Sequence, residues 1–449
     1  MRLDLHLVRM VDRDVWRCAR EEIPEHHAVL VQLTADGCGG WGEASAFMTD
    51  TYRSGVAHVV DRLRQAEPLL HDADPAAPQR LYRRLRPVLR DCPFALAAVD
   101  VAAHDLAARL AGRPLHEHLG LPSPQGRASA YSIGLASLPE MVAKLRAAPG
   151  WDLYKVKLAR ADDLDVLRAL REHTTAPFWV DGNACWEPSA LFAVLDRLPQ
   201  LGVVAVEQPF GVPDGAAHRE ARRRSPVPVF ADESVTGPAD LDTTAGQFDG
   251  VNIKLLKAGG LTPALAMLRR CRTEGLASML GCLPESSAGA SATAHLAGLA
   301  DHLDLDTVAL LAADTGTGVR LDDHGRVGLA AGPGTGFEPD RAGEAWIVWP
   351  VTAARTADLW RRTGPPGDAR QLGVVRDGTV VAALGVAEDP SPDGTARWRL
   401  YGPVTTTAAR DGGYATALLD RARHDHTGGM WAPAAGGAGH TISTTGEQE

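Results

Sequence analysis

Two textures of apolar and polar positions divide most of this chain. Apolar and polar residues alternate at Leu3–Met10 and Ala28–Thr34, and the run Ala35-Asp36-Gly37-Cys38-Gly39-Gly40 then leads into Trp41-Gly42-Glu43-Ala44. Such alternation puts successive side chains on opposite faces and predicts a meander of antiparallel strands closed by glycine-rich turns. A helical period takes over at Gly55–Leu70, Pro78–Leu89 and Phe94–Leu110, the last with Ala, Leu and Val on a continuous face. Residues 1–125 are therefore expected to form an α+β domain, whose segments Arg20–His27 and Phe47–Arg53 are placed to reach over a neighbouring site.

From Ala128 the texture becomes a repeat, a short apolar strand followed by a helical segment. Strands are expected at Ala128–Ile133, Leu153–Leu158, Phe178–Asp181, Val203–Glu207, Val227–Asp232, Val251–Leu255, Ala277–Cys282 and Leu303–Leu305. Right-handed crossovers carried to eight parallel strands close on themselves, so the fold class is α/β, a (β/α)7β barrel over residues 126–340 that returns to the first domain. An open doubly wound sheet is the alternative, and the glycine-rich phosphate turn that would follow its first strand is missing. Residues 341–432 read as a separate small α+β domain, with strands at Trp346–Val351, Leu372–Val375, Thr379–Val386 and Trp398–Val404 and a helix at Tyr414–His424. Residues 433–449, rich in Gly, Ala, Thr and Ser, read as a disordered tail.

Composition narrows the functions. A net charge of −10 with no basic run argues against nucleic-acid and anionic-membrane partners. No stretch approaches a membrane span and no early apolar run follows a charged start, so a cytoplasmic location is expected. Six scattered cysteines without a Cys-x-x-Cys pair predict reduced thiols, with neither disulfides nor a zinc site.

The cations carry the strongest signal. The chain has five lysines against 41 arginines, and four of the five, Lys155, Lys157, Lys254 and Lys257, lie in two apolar runs read as buried strands. Arginine stays charged at any accessible pH, whereas a crowded lysine can serve as a base. From Lys155 the next strand-end charges, Asp181, Glu207, Asp232 and Lys254, follow at intervals of 26, 26, 25 and 22 residues, one βα unit each. Barrel active sites are built at the carboxyl ends of strands, so regular spacing in sequence becomes convergence in space. Asp181, Glu207 and Asp232 form the hard oxygen set that Mg²⁺ prefers, although any one of them alone would read as a helix cap. Lys157 and Lys254 would face each other across that ion, an arrangement suited to proton transfer at a carbon beside a carboxylate, and Lys155 and the metal would keep the working amine partly neutral. Glu233 and Cys282 sit at strand ends too, and are assigned a supporting place behind the metal and a substrate contact respectively.

Lys155-Val156-Lys157, Val180-Asp181-Gly182-Asn183, Val206-Glu207-Gln208-Pro209, Ala231-Asp232-Glu233-Ser234 and the run from Asn252 to Gly260 together resemble the muconate-lactonising subgroup of the enolase superfamily. The resemblance covers about residues 1–340 and implies a barrel with a capping domain, Mg²⁺ on Asp181, Glu207 and Asp232, an acid/base pair Lys157 and Lys254, and supporting roles for Lys155 and Asn183. Asp304-Leu305-Asp306 resembles the Asp-x-Asp of dipeptide epimerases, which implies that these two carboxylates hold a substrate's α-ammonium. The position where Ala-Glu epimerases carry an Arg falls at Glu21, so the acidic Glu21, Glu22 and Glu25 imply a neutral or cationic second residue. The reading is a dipeptide epimerase acting through an enediolate, expected as a homo-oligomer. The alternatives are a cycloisomerase, a succinylbenzoate synthase or an N-acylamino-acid racemase of the same fold, and a non-enzymatic metal- or peptide-binding scaffold.

In the last domain, Arg410-Asp411-Gly412-Gly413-Tyr414-Ala415 resembles the pyrophosphate loop of GCN5-related N-acetyltransferases, with Arg410, Gly413 and Ala415 at its key positions. That resemblance implies acetyl-CoA as a ligand, in a truncated version of the fold. A plain glycine-rich strand-to-helix turn is the competing reading.

Overall fold

The computed structural model describes residues 1–339 except 15, 19–21, 24–25, 47–51 and 53, and beyond them residues 346–348, 370–376, 379–389, 397–405, 418 and 430–433. Strands Arg2–Asp12, His26–Ala35 and Cys38–Ala46 pair antiparallel, with Leu5 opposite Val31 and Val29 opposite Ala44. Leu3, Leu5 and Leu7 share one core with Val29, Val31 and Leu33, as period-2 alternation requires. That core is completed by the helix Pro93–Leu110, buried without a break from Phe94 to Ala108.

The glycines expected to make turns mostly do something else. Only Asp36 and Gly37 take the positive φ of the turn. Gly40 and Gly42 lie within the strand and let the helix backbone close in. A Cβ at Gly42 would stand 2.1 Å from the Ala98 carbonyl oxygen, and one at Gly40 would stand 2.4 Å from that of Ala102. Two helices are also shorter than their periodicity suggests, and proline is the cause in both. Val56–Ala66 gives way to a 3-10 turn at Glu67–Leu70 containing Pro68, and Pro78–Leu85 stops short of Pro87.

All eight barrel strands form, at Tyr131–Ile133, Tyr154–Lys157, Phe178–Asp181, Val203–Glu207, Val229–Ala231, Gly250–Lys254, Ala277–Gly281 and His302–Asp304. They pair in parallel in chain order. Ala130 N donates to Leu303 O at 2.8 Å and brings the last strand against the first. Trp179, Ala205, Phe230 and Met279 form a small core of their own within this sheet. Leu311–Ala313 then leaves the barrel and pairs with the first strand of the chain.

Buried acids of the capping domain bind the starts of barrel helices. Asp100 accepts from Thr262 N and Oγ1, at the start of Leu261–Glu274. Glu43 accepts from the backbone nitrogens of Ser286 and Gly289, at the start of Ser287–Leu296. A carboxylate there satisfies amides the helix itself leaves open, and it meets the positive end of the helix dipole.

Beyond the barrel, Trp346–Val348 pairs with the first strand through His6 and Trp346 and is followed by Arg370–Arg376, Thr379–Asp389 and Arg397–Thr405, all antiparallel. The next strand, Met430–Pro433, runs parallel to Arg397–Thr405. Sequence reading placed no strand there and began its tail at 433, because four residues ending in Pro give too short a signal. Of the expected helix at 414–424 only Leu418, which is helical and buried, lies among the described residues. Among those residues no helix is long and apolar enough to cross a membrane.

Candidate active site

Strand register brings the charged strand ends together. Lys157 is aligned with Asp181, and Asp181 with Glu207, on neighbouring strands. Asp232 follows directly on Val229–Ala231 and Lys254 ends the next strand, so these five side chains come from the last residue of a strand or the one after. Asp181, Glu207 and Asp232 are all buried, and each offers an oxygen within 4.8 Å of the others.

The lysines stand around these carboxylates. Lys155, at 1% exposure, places its amine 2.9 Å from Glu207 Oε1, 2.8 Å from Asp304 Oδ2 and 3.2 Å from Asp181 Oδ2. Lys157 reaches Asp181 Oδ2 at 2.5 Å, and Lys254 reaches Asp232 Oδ2 at 2.8 Å. The two amines thus bear on different members of the triad. Lys257, to which sequence reading gave no role, donates to the Asp232 carbonyl at 2.6 Å and to its Oδ1.

Burial and charge oppose each other here: charge wins at Lys155 and Lys254, while burial wins at Lys257 and lowers its pKa. Burial alone would lower the Lys155 pKa, but Asp304, Glu207 and Asp181 hold it well above the ordinary value. Lys254 behaves likewise, because Asp232 outweighs both burial and the like charge of Lys155. Asp232 is depressed by Lys254 and Lys257 against burial, and Asp181 by Lys157 and Lys155 against the same penalty. For Glu207 burial prevails and pushes the carboxyl up.

The remaining assigned residues are placed unevenly. Asn183 caps the triad, its backbone N donating to Asp181 Oδ1 at 2.8 Å. Glu233 is pushed up to about 7 by burial and by Asp232 and Asp181, and its Oε2 is buried with no hydrogen-bond partner among the described residues. Asp304 and Asp306 do project at the end of the eighth strand, but both are engaged. Asp304 carries the Lys155 contact, and Asp306 accepts from Ser132 N and is pushed up to about 7 by burial and by Asp304. Cys282 donates N and Sγ to the Asp304 carbonyl at 3.1 Å each, and burial raises its thiol pKa well above the usual value. Glu21, Arg410, Gly413 and Ala415 lie outside the described residues, and so does Glu25.

Besides Lys257, two residues of the site went unassigned in the sequence. Glu285 is buried at the mouth and pushed up to about 8 by burial and by Glu43. Gln208 accepts from Asp232 N at 2.9 Å and Ser234 N at 3.0 Å and donates to Ser234 Oγ at 2.8 Å, clipping the end of the fourth strand to that of the fifth. Its φ of 31°, with 43° at Asn183 and 61° at Ala184, gives three of the four positive-φ non-glycine residues among those described. Strained backbone of this kind persists where surrounding contacts over-determine it, typically at functional sites.

Comparison with known proteins agrees with this geometry. Residues 7–120 match the model of the mandelate racemase / muconate lactonizing enzyme N-terminal domain, and residues 138–343 match that of the enolase C-terminal domain-like family. The chain is 34% identical to an L-Ala-D/L-amino acid epimerase of Flavobacterium johnsoniae over 323 residues, 72% of this chain and 95% of that one. It is 35% identical to an L-Lys-D/L-Arg epimerase of Methylococcus capsulatus, over 72% of this chain and 94% of that one. Among solved structures, a dipeptide epimerase from Methylococcus capsulatus complexed with Mg and the dipeptide L-Arg-D-Lys superposes with a TM-score of 0.69 at 32% identity, covering 75% of this chain and 98% of that one. With both domains matched, and relatives covered almost end to end, the chain belongs to the mandelate racemase / muconate lactonizing enzyme family of the enolase superfamily.

Proposed function

We propose that this protein is an Mg²⁺-dependent dipeptide epimerase that moves the proton on the carbon beside a carboxylate. The observation carrying this reading is the pair of amines on different members of one buried carboxylate triad, Lys157 on Asp181 and Lys254 on Asp232. Relatives acting on dipeptides, at 34% and 35% identity, support the substrate class. Three buried carboxylates that each offer one oxygen fit a hard divalent ion. When bound, Mg²⁺ supplies the positive charge that acidifies a proton beside a carboxylate. Lys157 and Lys254 do the rest: one amine takes the proton from one face of the carbon, and the ammonium of the other delivers a proton to the opposite face. Lys155 stays charged among its three carboxylates and holds them in place. Asp306 and Asp304 serve the α-ammonium, at the end of the barrel strand beside Lys155.

The test is proton exchange. A dipeptide library incubated with the enzyme in D₂O gains one deuterium per epimerised molecule, read by mass spectrometry. Lys157→Ala and Lys254→Ala should each abolish epimerisation, and one should still wash deuterium into a single epimer. Epimerisation at wild-type rate in both variants removes the two-base assignment. A preference for muconate-type or N-acylated substrates would move the chain to another activity of the same fold. The acidic Glu21, Glu22 and Glu25 favour a neutral or cationic second residue.

A second reading concerns the end of the chain. The parallel pairing of Met430–Pro433 with Arg397–Thr405, with Arg410, Gly413 and Ala415 in the sequence between them, favours an acetyltransferase-like unit that binds acetyl-CoA. Calorimetric titration with acetyl-CoA tests it, and an absence of heat at millimolar ligand removes it.

A further inference from the structure

Glu207 is fully buried, and both of its oxygens are already taken. The Trp179 indole N–H donates to Oε2 at 2.7 Å, while the Asn252 amide donates to Oε1 at 2.9 Å beside the Lys155 amine. Neither Trp179 nor Asn252 carries charge, and neither is placed to move a proton.

Trp179 stands two residues before Asp181 on one strand, so both side chains face the barrel interior. Its ring is fixed from below. Phe230 packs 4.5 Å from it at 58°, His302 packs 5.1 Å away at 62°, and Met279 and Ala205 share the same small core. From this cluster the indole nitrogen reaches Glu207. Asn252 stands two residues before Lys254 and likewise faces inward. Its amide fits because residue 281 is glycine, where an added Cβ would lie 2.4 Å from Asn252 Oδ1. That Oδ1 is buried with no hydrogen-bond partner among the described residues. A buried carbonyl left unsatisfied is costly, so the side chain is held here by what its nitrogen does.

We propose that Trp179 and Asn252 are positioning residues for Glu207, the indole fixing Oε2 so that Oε1 alone is presented toward Asp181 and the metal. Oε1 is the oxygen that shares the Lys155 amine with Asp181 Oδ2. Residues that orient ligands in this way set metal affinity although they never touch the ion. The proposal rests on the reading of Asp181, Glu207 and Asp232 as the Mg²⁺ site.

The test is calorimetric titration of the metal-stripped full-length protein with Mg²⁺, alongside thermal melting of the same samples. Trp179→Phe keeps the ring and removes the donor, and Asn252→Leu keeps the volume and removes the amide. Each should weaken Mg²⁺ binding roughly ten- to a hundredfold. Gly281→Ala removes no hydrogen-bonding group and keeps an allowed backbone, yet it should weaken Mg²⁺ binding as Asn252→Leu does by crowding the amide. This third variant keeps the test decisive if a larger substitution unfolds the barrel. In all three the deficit in turnover should shrink as Mg²⁺ is raised, at temperatures where the melting curves show the metal-free variant fully folded. Wild-type Mg²⁺ affinity in a folded Trp179→Phe or Asn252→Leu overturns the role of that residue. Unchanged affinity with turnover depressed at saturating Mg²⁺ overturns positioning in favour of a part in the chemistry. Failure of the wild type itself to bind Mg²⁺ overturns the metal reading, and the proposal with it.

Discussion

Lys155→Met should destabilise the protein and at the same time strengthen its response to Mg²⁺. The amine lies at 1% exposure with carboxylate oxygens at 2.8, 2.9 and 3.2 Å, so Asp304 and Glu207 lose their nearest counter-charge when it goes, and Asp181 keeps only Lys157. Breaking a buried pair by removing one partner costs about 3–5 kcal/mol, because the charge left behind has neither water nor partner. An unfolding entropy of about 2.1 cal/mol/K per residue, over roughly 340 residues, converts this into a fall in Tm of about 4–7 °C. Met keeps the length and volume of the side chain, so little of the loss should come from a cavity. The second half of the outcome has the opposite sign. Lys155 competes for the same oxygens of Asp181 and Glu207 that a divalent ion would use, and its removal leaves them more negative. Melting the apo protein and then titrating Mg²⁺ should therefore show a larger metal-induced rise in Tm in the variant than in the wild type. An apo Tm within about 1 °C of wild type would refute the reading of Lys155 as the counter-charge of the site, on the same entropy scale. A smaller Mg²⁺-induced rise in the variant would refute the competition.

Two further outcomes follow from the same contacts. Asp306→Asn should lower kcat/KM for free dipeptides by roughly ten- to a hundredfold, about 1.5–3 kcal/mol for a lost charge-assisted contact, and should leave N-acetylated dipeptides unaffected; equal losses on both substrates would argue against the ammonium role. Burial pushes Asp100 up to about 7 even though it accepts from Thr262, so the folded chain keeps a proton that the unfolded chain loses near pH 4. Stability from this group is full below that lower value and is lost as pH rises to about 7, so Tm should decline between about pH 4 and 7, level off above that, and decline less in Asp100→Asn. A variant with the same slope as wild type would show that Asp100 is not the titrating group.

Most of what sequence revealed rests on scarcity and period. Five lysines among 46 basic residues made Lys155, Lys157, Lys254 and Lys257 conspicuous, and the near-equal spacing of Asp181, Glu207 and Asp232 located the triad on successive strands. Alternation and apolar runs found every barrel strand, because a strand buried on both faces has few residue types to choose from. What stayed hidden depends on approach in three dimensions. Gly40 and Gly42 resemble turn residues in one dimension and are needed for helix contact in three. Lys257 and Gln208 resemble neighbours of a motif and become functional only once Asp232 is folded against them.

Charge balance ties these observations together. Four carboxylates, Asp181, Glu207, Asp232 and Asp304, stand against four amines, Lys155, Lys157, Lys254 and Lys257, all buried, in one group of ion pairs around Lys155 and another around Asp232. Burying eight charges is tolerable only when they are matched, since each unmatched ion costs several kcal/mol. A divalent ion placed among the same carboxylates raises the positive side by two, and the amines nearest the triad are the groups able to release protons in response. Lys155 cannot easily do so, being held by three acids, nor is Lys257 free to leave the Asp232 backbone. Lys157 reaches Asp181 and Lys254 reaches Asp232, and both stand at strand ends facing the mouth. Filling the metal site would thus shift basicity onto the two lysines placed to use it, so that the base is made available when its metal arrives. The backbone strain at Asn183, Ala184 and Gln208 fits this account, because the oxygens must be held at fixed positions for two like-charged sets to exchange partners without collapse.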